Sequence, residues 1–392
     1  NRATQGGAYN TTTGPISTTG FGVTGSGQST SRLGFKGSED LGGGTSAVFT
    51  FETAIDPVPT TVATASAPIV STRQAFVGVK KNGVGSLLAG TQNTVIYDAV
   101  LDSTPSGVNN MSGDLVTLGS KGPQGQAGTS TGGSATQYGL ANNTAYNTRV
   151  SNALQFKSDR FAGFGARAMV VAYQSNSTQT TTGGAAAGVG GNNNVNGYGL
   201  GLDYTWNKLN VTANMQQFNA VANTNLSSTS DQFFGSSATA ISSLPSPGVN
   251  IRDAGSYAAV NYDFGILKAF YQYVSRKGTQ ANNANYFTKY SANQIGVNAY
   301  VTPAIQVWAS AAIGKYQPQG AFVATSAGPT YTPGNTNING YQLGSNYWLS
   351  KRTNLYAIYG QMAQSNQAFT SATTNTSAFN ANNYGVGIRH TF

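Results

Sequence analysis

The stretch Tyr384-Gly-Val-Gly-Ile-Arg-His-Thr-Phe392 alternates between large apolar or aromatic residues and small or polar ones. In an extended strand one face would carry Tyr384, Val386, Ile388, His390 and Phe392, and the other face would carry the residues between them. A soluble edge strand with that apolar row would template aggregation. The alternation therefore favours a membrane strand with one face on lipid and the other on water, as in a transmembrane β-barrel.

The composition is consistent with such a strand. Charged residues make up only 8% of the chain, against roughly 25% in a typical soluble domain. Hydrophobic residues reach only 39%, the mean hydropathy is −0.24, and no apolar run is long enough for a membrane helix. Gly, Tyr and Phe are abundant, which suits a barrel with aromatic girdles, although a secreted β-fibre or adhesin would share this composition. The absence of cysteine excludes disulfides and thiolate metal sites.

Short turns alternate with long polar loops along the chain. Glu39-Asp40-Leu41-Gly42 and Lys81-Asn82-Gly83 are predicted as tight turns, and Asn82-Gly83 favours type I′. An up-and-down barrel sorts its connections in this way, whereas a soluble sandwich has no reason to. The sequence therefore predicts one all-β domain over residues 1–392, an antiparallel transmembrane barrel. The predicted long loops lie near 56–71, 98–148, 175–195, 218–252, 277–290, 316–338 and 363–381.

The predicted number of strands is about fifteen, whereas a bacterial single-chain barrel has an even number. Residues 1–29 are polar and show no convincing strand pattern. We therefore expect a first strand to precede Asn1. The alternative is that a weak segment at 16–23 supplies it.

Four segments of the chain resemble the general porins of the Gram-negative outer membrane, especially the branch that prefers anions. They are TSRLGFKGSEDLGGG at 30–44, TRQAFVGV at 72–79, LSKRTNLYAIY at 349–359 and the closing stretch 384–392. The resemblance implies a sixteen-stranded barrel in the outer membrane, a homotrimer, and a long third loop (98–148) folded inward to narrow the pore. Two departures concern that loop: Thr91 stands where the family usually has arginine, and no Pro-Glu-Phe-Gly-Gly stretch follows.

The alternation also predicts where the charges of the strands point. Lys or Arg at a lipid-facing midplane position costs roughly 2–4 kcal/mol, so charges inside strands should face water. Leu33 and Phe35 mark the lipid face of their strand, which turns Arg32 and Lys36 inward. By the same alternation, Arg73 lies opposite Phe76 and is predicted to face inward. The predicted pore lining comprises Arg32, Lys36, Arg73, Arg149, Lys157 and Arg167, with Asp102 and Asp114 on the inward loop.

A basic lining would raise the local concentration of anions. The predicted function is passive diffusion of small hydrophilic solutes with a preference for anions such as chloride, phosphate or organic acids. Lipopolysaccharide and outer-membrane lipid are the other expected partners. Scattered cations argue against nucleic-acid binding, and the lone His390 on the lipid face argues against catalysis; no cofactor or metal is expected. A substrate-specific channel and a surface adhesive β-protein remain alternatives.

Overall fold

The computed structural model describes residues 2–6, 16–19, 21–23, 27–55, 70–116, 149–177, 191–222, 249–280, 284–285, 287–319, 331–333, 335–365, 369–371 and 378–392. These residues form strands and one helix, α1 (Val95–Ser103). The short strands are β1 (Arg2–Gly6), β2 (Ile16–Thr19), β15 (Tyr331–Pro333) and β18 (Phe369–Ser371). The long strands are β3 (Arg32–Gly42), β4 (Thr45–Ile55), β5 (Val70–Lys81), β6 (Gly85–Asn93), β7 (Arg149–Ser158), β8 (Phe164–Ser177), β9 (Gly191–Trp206), β10 (Leu209–Ala222), β11 (Val249–Asp263), β12 (Lys268–Gln280), β13 (Phe287–Thr302), β14 (Ile305–Gln319), β16 (Thr336–Trp348), β17 (Thr353–Gln364) and β19 (Ala378–His390).

The fifteen long strands follow one another up and down in a single antiparallel sheet, each pairing with the next along the chain. The sheet continues from β19 to β1 and from β1 to β2, which makes 17 strands in all. Strands β15 and β18 form a separate pair between two long connections. This is the predicted all-β, up-and-down architecture. In the part of the chain that is described, no helix is long and apolar enough to cross a membrane.

The alternation of short turns and long connections is confirmed, with two local corrections. The predicted turn at 39–42 belongs to β3, and the chain turns instead at Gly43 and Gly44, whose φ angles are 58° and 74°. The hairpin at Asn82-Gly83 is present, but only Gly83 has a positive φ, of 77°. Type I′ requires positive φ at both central residues, so the predicted turn type is wrong.

The sheet separates apolar from polar side chains as the alternation predicts. Leu33, Phe49, Leu202 and Ile388 are 49%, 47%, 63% and 65% exposed on the outer surface. On β10 the alternate residues Thr212, Asn214 and Gln216 are buried toward the interior. Apolar side chains therefore cover the outside of the barrel and polar ones its inside, the reverse of a soluble core.

The prediction that residues 1–29 lack a strand is wrong. Strand β1 pairs with β19, with Arg2 opposite Asn382, and β2 pairs back onto β1. Strand β2 overlaps the weak segment that the sequence offered as an alternative. Strand β1, with the sequence RATQG, has little intrinsic strand preference, and backbone pairing with β19 overrides that preference. A strand preceding Asn1 stays a prediction.

Candidate channel constriction

The segment 94–116, which follows β6, lies inside the barrel. Its helix α1 begins after Thr94, whose hydroxyl accepts a hydrogen bond from the Tyr97 backbone N–H at 3.3 Å. Asp98 lies in the first turn, where the helix dipole favours a carboxylate, and Pro105 follows the last turn. The buried face of α1 packs against strands β8 to β11 through Val95, Ile96, Ala99 and Val100.

Hydrogen bonds fix α1 to the inner wall at both ends. The Ile96 N–H donates to Gln216 Oε1 on β10 at 3.4 Å. At the other end, Ser103 Oγ lies 2.6 Å from the hydroxyl of Tyr257 on β11, and Gln272 of β12 donates to that hydroxyl at 2.9 Å. The helix position is therefore set by strands that lie far from it in sequence.

The residues after α1 continue along the opposite strands. Gln342 on β16 is fully buried and forms an amide pair with Asn109, in which each side chain donates to the other at 3.0 and 3.1 Å. The same Gln342 nitrogen contacts the carbonyl oxygens of Met111 and Ser112 at 2.7 and 2.9 Å. On β19, Asn383 accepts from the Ser112 N–H at 3.1 Å. Segment 94–116 is thus attached to the wall from β8 around to β19.

Two strand glycines allow the segment to approach the wall closely. A Cβ at Gly360 of β17 would overlap the Ser112 carbonyl oxygen, and one at Gly340 of β16 would lie 2.7 Å from the Gly113 carbonyl oxygen. No side chain fits at either position without moving the backbone of the segment.

Both carboxylates on the free side of α1 are ion-paired. Asp98 Oδ2 lies 2.6 Å from Lys157 Nζ on β7, and Asp102 Oδ2 lies 2.6 Å from Arg167 Nη2 on β8. Asp98 also accepts a hydrogen bond from Asn93 at 3.0 Å. The structure therefore brings together three residues that the sequence predicted for the site, Lys157, Arg167 and Asp102, and adds Asp98.

A second group of charges lies on β3, β4 and β5. Arg73 Nε lies 2.5 Å from Glu52 Oε1, and Arg32 Nη1 lies 3.5 Å from Glu52 Oε2. Arg32 also donates to Ser29 Oγ at 2.6 Å. Two guanidinium groups therefore share one carboxylate. We refer to Arg32, Glu52 and Arg73 as the arginine clamp.

Arg149, the first residue of β7, contacts α1. Its Nη2 donates to the Tyr97 hydroxyl at 3.1 Å, and its guanidinium carbon lies 4.9 Å from the centre of the Tyr97 ring. In the sheet, β6 separates β7 from β5, the strand that carries Arg73. The contact with Tyr97 therefore holds Arg149 at the inner wall, two strands from β5.

The remaining predicted residues lie apart from these contacts. Lys36 is exposed on β3 and enters no ion pair of the described residues. Asp114 is almost fully buried, and its Oδ1 accepts the Val116 N–H at 3.0 Å. Asp114 therefore stabilises the backbone of the inward segment. Residues 117–148 of the predicted inward loop lie outside the described residues.

Phe76 does not face lipid, so the predicted reason for an inward Arg73 is wrong. The exposed residues of β5 are Val77 and Val79, so Phe76 does not mark the outer face. Strict alternation would place Arg73 with Val77 and Val79. An irregularity in the β4–β5 register next to Glu52 breaks the alternation and allows Arg73 to reach that carboxylate.

Several acidic partners of these cations were not predicted from the sequence. Glu52, Asp98 and Asp203 each pair with a cation, and Asp203 lies between Arg160 and Arg167. On β11 and β12, Asp253 accepts hydrogen bonds from Arg276 Nε at 2.9 Å and from Arg276 Nη2 at 2.5 Å. For the acidic residues on strands, the sequence offered one signal: they occupy inward positions, where a carboxylate needs a cation or water. Within the described residues, no group of three His, Cys, Asp or Glu side chains could hold a metal ion.

A profile of the Gram-negative porin family matches residues 2–367. The chain belongs to the Gram-negative porin family. It is therefore an outer-membrane protein, and its strands span that membrane as a β-barrel. The alternative of a surface adhesive β-protein does not agree with this assignment. A search of curated proteins found no match.

Solved porin structures share the fold of this porin across nearly the whole chain. An anion-selective porin from Comamonas acidovorans superposes with a TM-score of 0.61 at 18% identity, covering 100% of this chain and 96% of that one. OmpT of Vibrio cholerae in its trimer form gives 0.56 at 14% identity, with coverages of 99% and 96%. In-vitro folded OmpT gives 0.54 at 15% identity, with coverages of 100% and 94%. At these identities the likeness shows the fold alone.

Proposed function

We propose that this porin forms a water-filled channel for passive diffusion of small hydrophilic solutes, and that its inner wall favours small anions. The observation that carries the proposal is the arginine clamp, in which Arg32 and Arg73 share one carboxylate, Glu52, in the ion pairs of the described residues. One carboxylate neutralises one of the two positive charges. Arg149 adds a third cation on β7, two strands from β5. In a confined channel with low-dielectric walls, such a surplus raises the local anion concentration.

The acidic residues of α1 do not offset this surplus. Asp98 and Asp102 each lie 2.6 Å from a cation of the wall that they face. Their charges are compensated locally by Lys157 and Arg167, so little negative potential extends from α1 toward the arginine clamp. The proposed pore lining is therefore Arg32, Lys36, Arg73, Arg149, Lys157 and Arg167, with Asp98 and Asp102 on the helix.

We expect a diffusion channel of this kind to accept chloride, phosphate and small organic acids without tight binding. A substrate-specific channel would need a site that holds one solute. The two differ in saturation: diffusion rises linearly with solute concentration, whereas a specific site saturates. We also propose a homotrimer, which OmpT in its trimer form supports; chemical cross-linking of the detergent-solubilised protein tests this assembly.

Swelling of proteoliposomes tests the channel function and its preference for anions together. Vesicles containing the porin should swell faster in an isosmotic solution of a small organic anion than of an organic cation of equal size. The R32S/R73S double variant should reduce that difference while keeping the uptake of a neutral sugar. Equal rates for both ions in the wild-type protein would refute the anion preference, and no uptake of any solute would refute the channel.

A further inference from the structure

Four cations lie next to one another on the outer surface of strands β11 to β14. They are Arg252 on β11, Lys277 on β12, Lys289 on β13 and Lys315 on β14. We call these four residues the basic row. None of them is used by the channel constriction, which lies on the inner face of the same wall.

Strand alternation establishes that the basic row points outward. On β12 and β13 the alternate residues Gln272, Val274 and Gln294 are buried toward the interior. Lys277 and Lys289 occupy the other face, which they share with the exposed Tyr271 and Ile295. Lys315 likewise shares its face with Ile313, which is 66% exposed, and Arg252 is itself exposed beside the buried Asp253.

The strand register makes the four residues immediate neighbours. Lys277 lies directly opposite Lys289 in the β12–β13 ladder. Arg252 is two residues along β11 from Ala254, the partner of Lys277, and Lys315 is two residues along β14 from Gln317, the partner of Lys289. Directly opposite Cβ atoms are about 4.5–5.5 Å apart and diagonal ones about 7–8 Å. Like charges in such positions repel each other and destabilise the sheet.

The described residues offer this row no compensating carboxylate. None of their ion pairs includes Arg252, Lys277, Lys289 or Lys315. The neighbouring Asp253 is turned inward and paired with Arg276. Lys277 lies 3.9 Å from the centre of the Phe287 ring, which provides a cation–π contact but no charge. The repulsion therefore favours an anion supplied from outside the described residues.

The height of the basic row on the barrel identifies the source of that anion. A tilted membrane strand needs about 9–11 residues. Tight turns join β11 to β12 and β13 to β14. Counted along each strand from its tight turn, the residues of the basic row lie at or beyond that distance. Closer to the tight turns, the outer face carries the exposed apolar residues Ile295, Val297 and Ile313. The row thus lies at the border of the outer leaflet, on the side of the long loops.

We propose that the basic row binds the phosphate groups of lipopolysaccharide in the outer leaflet. Lysine side chains at a membrane border extend their ammonium groups to the headgroup level, and arginine contacts phosphate with two parallel hydrogen bonds. Clusters of cations beside the hydrocarbon region attract anionic lipid headgroups. The lipid phosphates would also relieve the repulsion between Lys277 and Lys289.

The affinity of the folded porin for purified lipopolysaccharide tests this proposal in detergent. The variant R252Q/K277Q/K289Q/K315Q should bind the lipid at least about tenfold more weakly than wild type, because each lost cation weakens headgroup attraction. Enzymatically dephosphorylated lipopolysaccharide should bind wild type weakly as well. The double variant K277Q/K289Q should give an intermediate loss and serves if the fourfold variant fails to fold.

The matched control K81Q/K208Q/K351Q/R352Q removes four cations at the short turns and should leave lipid affinity unchanged. Inorganic phosphate should compete no better than potassium chloride of equal ionic strength. Full lipid affinity in both basic-row variants, equal affinity for the dephosphorylated lipid, or specific displacement by free phosphate would each overturn the proposal. Channel selectivity should stay unchanged in the basic-row variants, so failure here leaves the proposed channel function untouched.

Discussion

Arg73 Nε donates a hydrogen bond of 2.5 Å to Glu52 Oε1 across the β4–β5 pair, where the strand register is irregular. The same carboxylate lies 3.5 Å from Arg32. Glu52 therefore holds two arginines together on the inner wall and neutralises only one of them. This relation sets the sign of the field that a solute meets at this part of the channel.

Glu52→Gln should raise the preference for anions. The change removes the one negative charge of the arginine clamp, so the potential along the inner wall becomes more positive. The ratio of chloride to potassium permeability in planar bilayers measures the effect. Glu39→Gln is the matched control, because Glu39 is exposed at the other end of β3 and takes no part in the described ion pairs. An unchanged or lower chloride preference in Glu52→Gln would contradict a position of Glu52 beside the permeating ions.

Gln342→Leu should loosen segment 94–116. The substitution leaves Asn109 and the Met111 and Ser112 carbonyl groups without their buried partner, at a cost of about 1–3 kcal/mol in the free energy of unfolding. We expect larger current fluctuations in single-channel records, since the segment borders the channel. Gln361→Leu is the control, because Gln361 bonds to Tyr341 and Asn380 on the outer face. Current fluctuations in Gln342→Leu no larger than in wild type would mean that other contacts alone fix the segment.

Gly360→Ala should displace the same segment by steric overlap. The added Cβ would meet the Ser112 carbonyl oxygen, so either the segment or β17 must shift. Gly385→Ala provides the comparison, because the nearest atom there is the flexible end of Met111, at 3.1 Å. Single-channel conductance should change in Gly360→Ala and stay the same in Gly385→Ala. The same conductance in both variants would contradict the close approach.

Asp98→Asn should destabilise the porin more than Asp102→Asn. The Asp98 side chain is 13% exposed and accepts from both Lys157 and Asn93, whereas Asp102 is 62% exposed. An exposed ion pair contributes about 0–1 kcal/mol, and a more buried carboxylate loses more when its charge is removed. Denaturant unfolding followed by tryptophan fluorescence compares the two. A greater loss of stability in Asp102→Asn than in Asp98→Asn would contradict this prediction.

Much of this architecture was predictable from the sequence because the barrel obeys a local rule. Alternation with a period of two identified the outer face of the long strands, and turn residues located most hairpins. The helix was missed, although Val95, Ile96, Ala99 and Val100 have the spacing of a helical face. Its existence depends on packing against strands that come later in the chain. A tertiary contact of that kind leaves only a weak local signal.

The misplaced residues have equally specific causes. Arg73 reaches Glu52 through a register irregularity, which no alternation pattern contains. The basic row was missed because the predicted loops began or ended at its members or one residue away, whereas β11 to β14 extend past them. Asn, Gly, Lys and Pro, which occur at these strand ends, have weak intrinsic strand preference, and pairing with neighbouring strands keeps them extended. Sequence patterns therefore located the middle of each strand better than the end that lies next to a long loop.

The reversal potential of the wild-type porin across a planar bilayer, measured with a gradient of potassium chloride, tests the central claim most directly. A positive inner wall predicts a reversal potential of the sign that chloride diffusion gives, and the R32S/R73S variant should move this potential toward zero. A wild-type reversal potential of the sign given by potassium diffusion would contradict the account, even with the barrel intact.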